Sequence, residues 1–294
     1  MAVRLIVVPY DSGHRNRRMG RGPQFLLDGG ASARLEREHG PLRECPIEHR
    51  EAYPMELAVT FGLHRSVAVQ VAQALEEGEF PLLLSGNCHC TVGALGGYGG
   101  REVGLVWFDA HGDVNTPETT TSGLIDGMPV AMATGRCWRR LTDTIPGFRP
   151  LPDDRVLLCG VREFDGPERE LFDTTGMRLI SCEELEGNGP AAALGSAFDS
   201  RAGRLAGVHL HVDLDVLDPG RARANTFQPA GGLSPELLLD AVRALAARQR
   251  LLGASVSAYD PAADPGGTGL EAGLGLIELI GAVAARQARE RPSD

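Results

Sequence analysis

The chain has 294 residues, 43% of them hydrophobic, and a formal net charge of −10. That apolar share supports a large core and excludes a disordered chain, while the acidic balance repels phosphate backbones and argues against a nucleic-acid partner. Cys45, Cys88, Cys90, Cys137, Cys159 and Cys182 show no framework spacing, so reduced thiols in a cytoplasmic protein are expected.

The opening MAVRLIVVPY is too short, and too soon followed by Asp11 and a basic run, to read as a secretion signal. No stretch reads as the roughly 20 apolar residues of a membrane span. Arg4–Pro9 reads as a first buried strand, and the charged stretch Arg34–Glu38 as solvated surface. Leu57, Phe61, Val67, Val71 and Leu75 fall near helical spacing and predict a helix over Leu57–Leu75. A strand at Pro81–Leu84 precedes the glycine-rich Gly93–Gly100, whose spacing is wrong for a dinucleotide fingerprint and which reads as a turn. Further strands are predicted at Val103–Phe108, Arg155–Cys159, Arg178–Ser181, Gly207–Val212 and Ala254–Ala258. Trp107 and Phe108 read as sheet packing, and Cys90, Cys137, Cys159 and Cys182 as core. Helices are predicted at Ser234–Gln249, opened by a Ser-Pro-Glu cap, and at Leu274–Gln287, with Arg286–Asp294 as a solvated tail. Strands alternating with helices give an α/β fold, a parallel sheet covered on both faces. No shift in composition divides residues 1–294, so one domain is expected.

In open parallel sheets, ligands bind beyond the carboxyl ends of the strands. Three predicted strand ends are unusually polar: Ser85–Cys90, Asp109–Asp113 and His209–Asp215. Asp109, His111 and Asp113 are two residues apart, so an extended segment points them to one side, and Asp213 with Asp215 does the same. Two such ends side by side bring together carboxylates that cannot all ionise without cations. Two divalent metals resolve the conflict. His209 and His211 share the phase of Asp213 and Asp215 but lie further back along the strand. His209 reads as a packed histidine, and His211 as standing behind the ligands at most. His14 is either a rim residue or a solvated one.

The segments DAHGDVNTPETTTSG (Asp109–Gly123) and HVDLDVLDP (His211–Pro219) resemble two signatures of the ureohydrolase superfamily, the arginases and agmatinases. SGNCHCTVG (Ser85–Gly93), Arg17–Leu26, GVREFDGPE (Gly160–Glu168) and SAYDP (Ser257–Pro261) find their places in the same pattern, over nearly the whole chain. The resemblance implies a three-layer α/β/α fold with a mostly parallel sheet of about eight strands. It implies a metal-dependent hydrolase of C–N bonds in linear amidines, with two divalent ions, manganese foremost. Asp109 and Asp213 would bridge both ions, Asp113 would complete one, and His111 and Asp215 the other. A hydroxide made available by the two cations would attack the amidine carbon. Asn115, Thr120 and Ser122 match positions that bind a substrate α-carboxylate, Asp165 the position for the α-amino group, and Glu168 a supporting one.

The sequence departs from that pattern at the reacting end. Gapless alignment puts Cys88 at a histidine ligand, with His89 one residue late and facing the other way from a strand end. Cys88 is therefore the expected sixth ligand. Asp126 stands where the family's proton-shuttling histidine stands and, with Asp109 and Asp213, is carried as a catalytic position. Leu124 replaces an asparagine, Ala258 the acidic residue that holds the guanidinium, and Phe227 a threonine. An intact amino-acid end and an altered guanidine end point to Nω-hydroxy-L-arginine, cleaved to hydroxyurea and L-ornithine. The hydroxylated group is less basic and better activated than a plain guanidinium, and the constellation resembles the branch of the family that serves antibiotic biosynthesis. The alternatives are an arginase or agmatinase acting on an unmodified guanidine, a ureohydrolase of formimino or amide substrates, and a metal-binding pseudoenzyme. The expected partner is a small amino acid, with neither nucleic acid nor membrane, and a monomer is favoured over a homo-oligomer.

Overall fold

The computed structural model describes residues 2–49, 55–195 and 205–290. Eight strands form one sheet: β1 Val3–Val8, β2 Arg43–Pro46, β3 Phe80–Ser85, β4 Val103–Phe108, β5 Val156–Cys159, β6 Arg178–Ile180, β7 Gly207–Asp213 and β8 Leu251–Ser257. Their order is β2-β1-β3-β8-β7-β4-β5-β6, with every ladder parallel. The inner strands are buried along their whole length, as expected when helices cover both faces.

Alternation along each strand feeds two cores. Val3, Leu5 and Val7 join Val208, Leu210 and Val212 on one face, while Ile6, Val8, Leu105 and Trp107 pack on the other. Helices α1 (Ala31–His39), α5 (Pro235–Ala246) and α6 (Thr268–Arg289) pack on the first face. Helices α2 (Glu56–Glu76) and α3 (Cys90–Gly97) pack on the second. The short helix α4 (Gly166–Thr174) follows β5. This is the α/β fold expected, with the three layers and eight strands in place.

Several local expectations change. Gly93–Gly100 is mostly helical rather than a turn, because it lies in α3 through Gly97. Its glycines permit a close approach of α2: a Cβ on Gly93 would stand 2.6 Å from the His64 carbonyl oxygen, and one on Gly97 2.4 Å from the Val71 Cβ. Helix α6 begins at Thr268, ahead of the predicted Leu274, because the Asp264 carboxylate accepts from Thr268 N (2.9 Å) and Leu270 N (3.0 Å). Among the described residues α6 is also long and apolar enough to cross a membrane by length and composition, contrary to the sequence expectation. Its Leu274, Leu276, Ile277 and Ile280 are nonetheless fully buried against the sheet. Arg34–Glu38 is not simply solvated, since Leu35 is core and Arg34 and Arg37 pair with Glu271 and Glu278 on α6. The edge strand β2 carries no alternation because one side is exposed, and its charges and Pro46 suit an edge. Of the charged tail, Arg286–Arg289 closes α6, and 291–294 lie outside the described residues.

The topology decides what meets at the carboxyl edge. β7 lies between β4 and β8, with Trp107 beside His211 and Ser257 beside Asp213. The residues following β4 and those ending β7 are therefore neighbours, although about a hundred residues of chain separate them.

Candidate metal centre and its cavity

Asp109 follows β4, and Asp213 closes β7. Asp215 sits in the 3₁₀ turn Leu214–Val216 directly after it. Two sets of potential ligand atoms form, each with all its atoms within 4.8 Å of one another: Cys88, Asp109, His211 and Asp213, and beside it Asp109, His111 and Asp215. Asp109 belongs to both. Asp113 reaches the first set through a 3.5 Å contact of its Oδ2 with Cys88 Sγ. Its backbone lies in the left-handed region (φ 55°), an uncommon conformation for aspartate that turns the chain back after the strand.

Asp109, Asp113, Asp213 and Asp215 are all at most 4% exposed. Burial, with the charge of Asp215 added, pushes Asp109 up to about 7. Burial and the neighbouring carboxylates hold Asp113 and Asp213 well above the ordinary range. Asp215 alone of the four lies below it: burial opposes this most strongly, but His111, the Ala110 amide and the bond with Asp213 together outweigh the burial. His111 is correspondingly raised, because its contacts with Asp109 (3.3 Å) and Asp215 (3.2 Å) overcome the desolvation. One imidazolium cannot neutralise four buried carboxylates. A donor set of carboxylates, imidazole and thiol around two shared points fits a pair of divalent ions.

In the first motif Cys88, and not His89, lies among the potential ligand atoms. Its Sγ points into the cluster, while the His89 ring turns away and bonds His64 Nε2 through Nδ1 at 3.1 Å. Burial lowers His89 to about 4. Asp126 lies over Cys88: its Oδ1 accepts from Cys88 Sγ (3.0 Å) and His89 N (3.1 Å), and its Oδ2 from Asn87 Nδ2 (2.5 Å). Burial pushes Asp126 up to about 6, moderated by those bonds.

The cluster floors a cavity of roughly 370 Å³. Asn115, Ser122, Asp165 and Glu168 line it, but Thr120 does not, and Thr121 takes a place in the wall. The Thr120 hydroxyl is used within the loop, where it accepts from Gly123 N at 3.0 Å. Asn115 Nδ2 donates to Asp165 Oδ2 (3.0 Å), and Glu168 accepts from Val114 N (3.2 Å) and Asp165 N (2.9 Å). Leu124, Phe227 and Ala258 also line the cavity. His14 is exposed and bonded to Ser12 O, away from the wall. Asp11, Arg18 and Asn225 are wall residues that the sequence reading missed. Asp11 closely follows β1 as Asp109 follows β4, so the strand-end rule could have found it. His209 is buried with its ring bonded to Tyr98 and Ser255, as a packed histidine is. His211 stands among the ligand atoms, closer than its place along the strand suggested.

Parallel strands ending in paired carboxylates around two shared points define an α/β metallohydrolase architecture, and the comparisons give its family. The model of the arginase family matches residues 1–280. The chain is 32% identical over 275 residues to an arginase of Bacillus caldovelox, covering 89% of this chain and 92% of that one. It is 30% identical over 243 residues to an arginase of Bacillus subtilis (79% and 81%). Its fold is similar to the crystal structure of an arginase from Bacillus cereus, with a TM-score of 0.85 at 27% identity over 97% of this chain and 98% of that one. The chain belongs to the arginase family, whose members are binuclear-metal-dependent hydrolases of guanidino C–N bonds.

Proposed function

We propose that the chain hydrolyses Nω-hydroxy-L-arginine to hydroxyurea and L-ornithine. Water adds to the hydroxyguanidine carbon, and the bond from that carbon to the side-chain nitrogen breaks. The observation that carries this reading is the state of the carboxylates in the cavity wall outside the metal cluster. Asp11 pairs with Arg18 at 3.0 Å, Asp126 is taken by Cys88, His89 and Asn87, Asp165 and Glu168 bond Asn115 and backbone amides, and Glu163, mostly exposed at the mouth, stands 3.5 Å from His111 Nε2. Ala258, where the family pattern has a guanidinium-binding acid, is buried and apolar. A guanidinium at the Ala258 position would lack the acid that the family pattern supplies there, and an unpaired buried charge is costly. The less basic hydroxyguanidine avoids that cost.

Asp109 and Asp213 would help hold both divalent ions, Cys88 and Asp113 one of them, and His111 and Asp215 the other. When bound, the pair supplies Lewis acidity and a water acidic enough to act as nucleophile near neutral pH. Carboxylates suit manganese, while the thiolate draws its own side towards softer ions. Asn115 and Ser122 receive the substrate α-carboxylate and Asp165 the α-ammonium, with Glu168 fixing the turn that carries Asp165. Thr120 is replaced in that role by its neighbour Thr121, which faces the cavity. Asp126 Oδ1 is positioned to take the Cys88 proton, and its upward shift brings it nearer working pH than an ordinary carboxylate. Residues 1–294 are read as one cytoplasmic catalytic unit acting as a monomer.

The relatives named arginase favour a second reading, plain L-arginine as substrate. A product assay on the two substrates separates them. A hundredfold preference in kcat/KM for the hydroxylated substrate, about 2.7 kcal/mol of differential transition-state binding, is expected. Comparable rates on both would establish the arginase reading instead.

A further inference from the structure

The face of β7 opposite its apolar side is polar throughout. His209, His211 and Asp213 alternate along it, and Ser255 of β8 lies beside His211. His211 is fully buried and stacked on Trp107, with ring centroids 3.6 Å apart and planes 23° apart. Its Nδ1 is bonded to Thr91 Oγ1 (2.8 Å) and Ser255 Oγ (3.1 Å). Ser255 Oγ continues to His209 Nε2 (2.8 Å), and His209 Nδ1 to the Tyr98 hydroxyl (2.7 Å). One end of this chain of bonds is the buried phenol. The other is His211 Nε2, which has no hydrogen-bond partner.

Nδ1 is taken by Thr91 and Ser255, so Nε2 is the ring nitrogen left free to act as a ligand. The ring offers one ligand atom within 4.8 Å of those of Cys88, Asp109 and Asp213. A direct hydrogen bond to any of them would bring donor and acceptor to roughly 3 Å, and none forms. Two ligand atoms that share an ion, at about 2.0 Å for nitrogen and 2.3 Å for sulfur, stand up to roughly 4.3 Å apart. A separation of at most 4.8 Å without a direct bond leaves room for an ion between them. A buried nitrogen left without a partner is otherwise expensive.

We propose that His211 Nε2 is a ligand of the cation held by Cys88, Asp109 and Asp213. Ser255 and Thr91 then accept the Nδ1 proton, which fixes the tautomer and leaves the Nε2 lone pair for the ion, as outer partners of metal-bound histidines do. The set becomes thiolate, imidazole and carboxylates, which suits a borderline ion of the zinc and iron(II) class better than carboxylates alone would. This inference rests on the two-cation reading of the site and is independent of the choice of substrate.

The test uses the full chain, stripped with chelator and titrated with cobalt(II) alone. The wild type should take two equivalents and develop thiolate-to-cobalt charge-transfer absorption. His211→Ala and His211→Asn should weaken the thiolate-bearing site by more than the roughly 10–100-fold lost with a merely supporting partner. The d–d bands of that site should move, while the other site still fills. Two equivalents bound by both variants with unchanged affinity and spectrum would overturn the role of His211 and leave the two-cation reading standing. No cobalt bound by the wild type would overturn that reading itself. Should neither variant fold, cobalt K-edge absorption of the wild type counts imidazoles: two across the pair support His211 as a ligand, and one excludes it.

Discussion

The floor and the rim of the cavity are both acidic, yet the protein treats their charges in opposite ways. At the rim, Asp165 and Glu168 open α4, where backbone amides and the Asn115 side chain already satisfy them. At the floor, Asp109, Asp113 and Asp213 are driven out of the ordinary carboxylate range, and among these groups only His111 carries positive charge. A carboxylate capped by its own chain costs little and holds a loop in shape. Carboxylates buried together without compensation cost a great deal, and that cost is relieved by what binds there. The contrast separates the groups that position a substrate from those that hold the chemistry.

The contrast breaks most visibly at the floor. Asp213→Asn should abolish loading of the pair and lower kcat/KM by on the order of a thousandfold or more, if Asp213 serves both ions as proposed. Metal analysis of the purified variant should show less than one equivalent. Two equivalents and near-normal turnover would place the ions elsewhere.

The floor should also dominate the pH dependence of stability. Asp109 rises to about 7 in the folded chain, against roughly 3.9 when unfolded. Between those values the folded state holds the proton more tightly, so this group makes the ion-free protein lose stability as pH rises through roughly 4 to 7, and the raised Asp113 and Asp213 act in the same direction. Divalent ions replace that proton. The rise in Tm on adding manganese should therefore be larger at pH 8 than at pH 5.5, by several degrees. An equal rise at both would mean that the ions do not meet these carboxylates.

Smaller effects belong to the rim. Asp165→Ala should raise KM for an α-amino-acid substrate by roughly ten- to a hundredfold, the worth of one charge-assisted bond. An analogue lacking the α-amino group should be affected much less, and equal losses on both would make Asp165 a fold residue. Smallest is Phe227→Ala. The ring is 43% exposed and lies 5.4 Å from the Arg18 guanidinium, so its removal should change KM by no more than about fivefold and leave metal content untouched.

Much of this site was legible in one dimension, because strand geometry is local. Parallel sheets place polar residues just beyond strand ends whatever their lateral order, although the extended alternation expected of these residues gives way to a left-handed Asp113 and to a 3₁₀ turn at Asp215. Apolar runs bounded by polar ends likewise announced β1, β3, β4 and β7. Tertiary structure decided the remainder, because its causes are distant in sequence. Nothing near Gly93 says that α2 will press close enough to need glycine, and nothing near Leu274 says that Asp264 will start the helix at Thr268. Thr120 and Thr121 differ only in which hydroxyl the loop consumes. The strand order sets β7 between β4 and β8, and that order alone puts Trp107 against one side of His211 and Ser255 beside its Nδ1. The sequence by itself determined which carboxylates would gather, since each lies at or just beyond the carboxyl end of an apolar strand. Only packing across three strands and α3 decided that His211 stands among them with Nε2 unbonded, because its orientation is set by partners from three other segments.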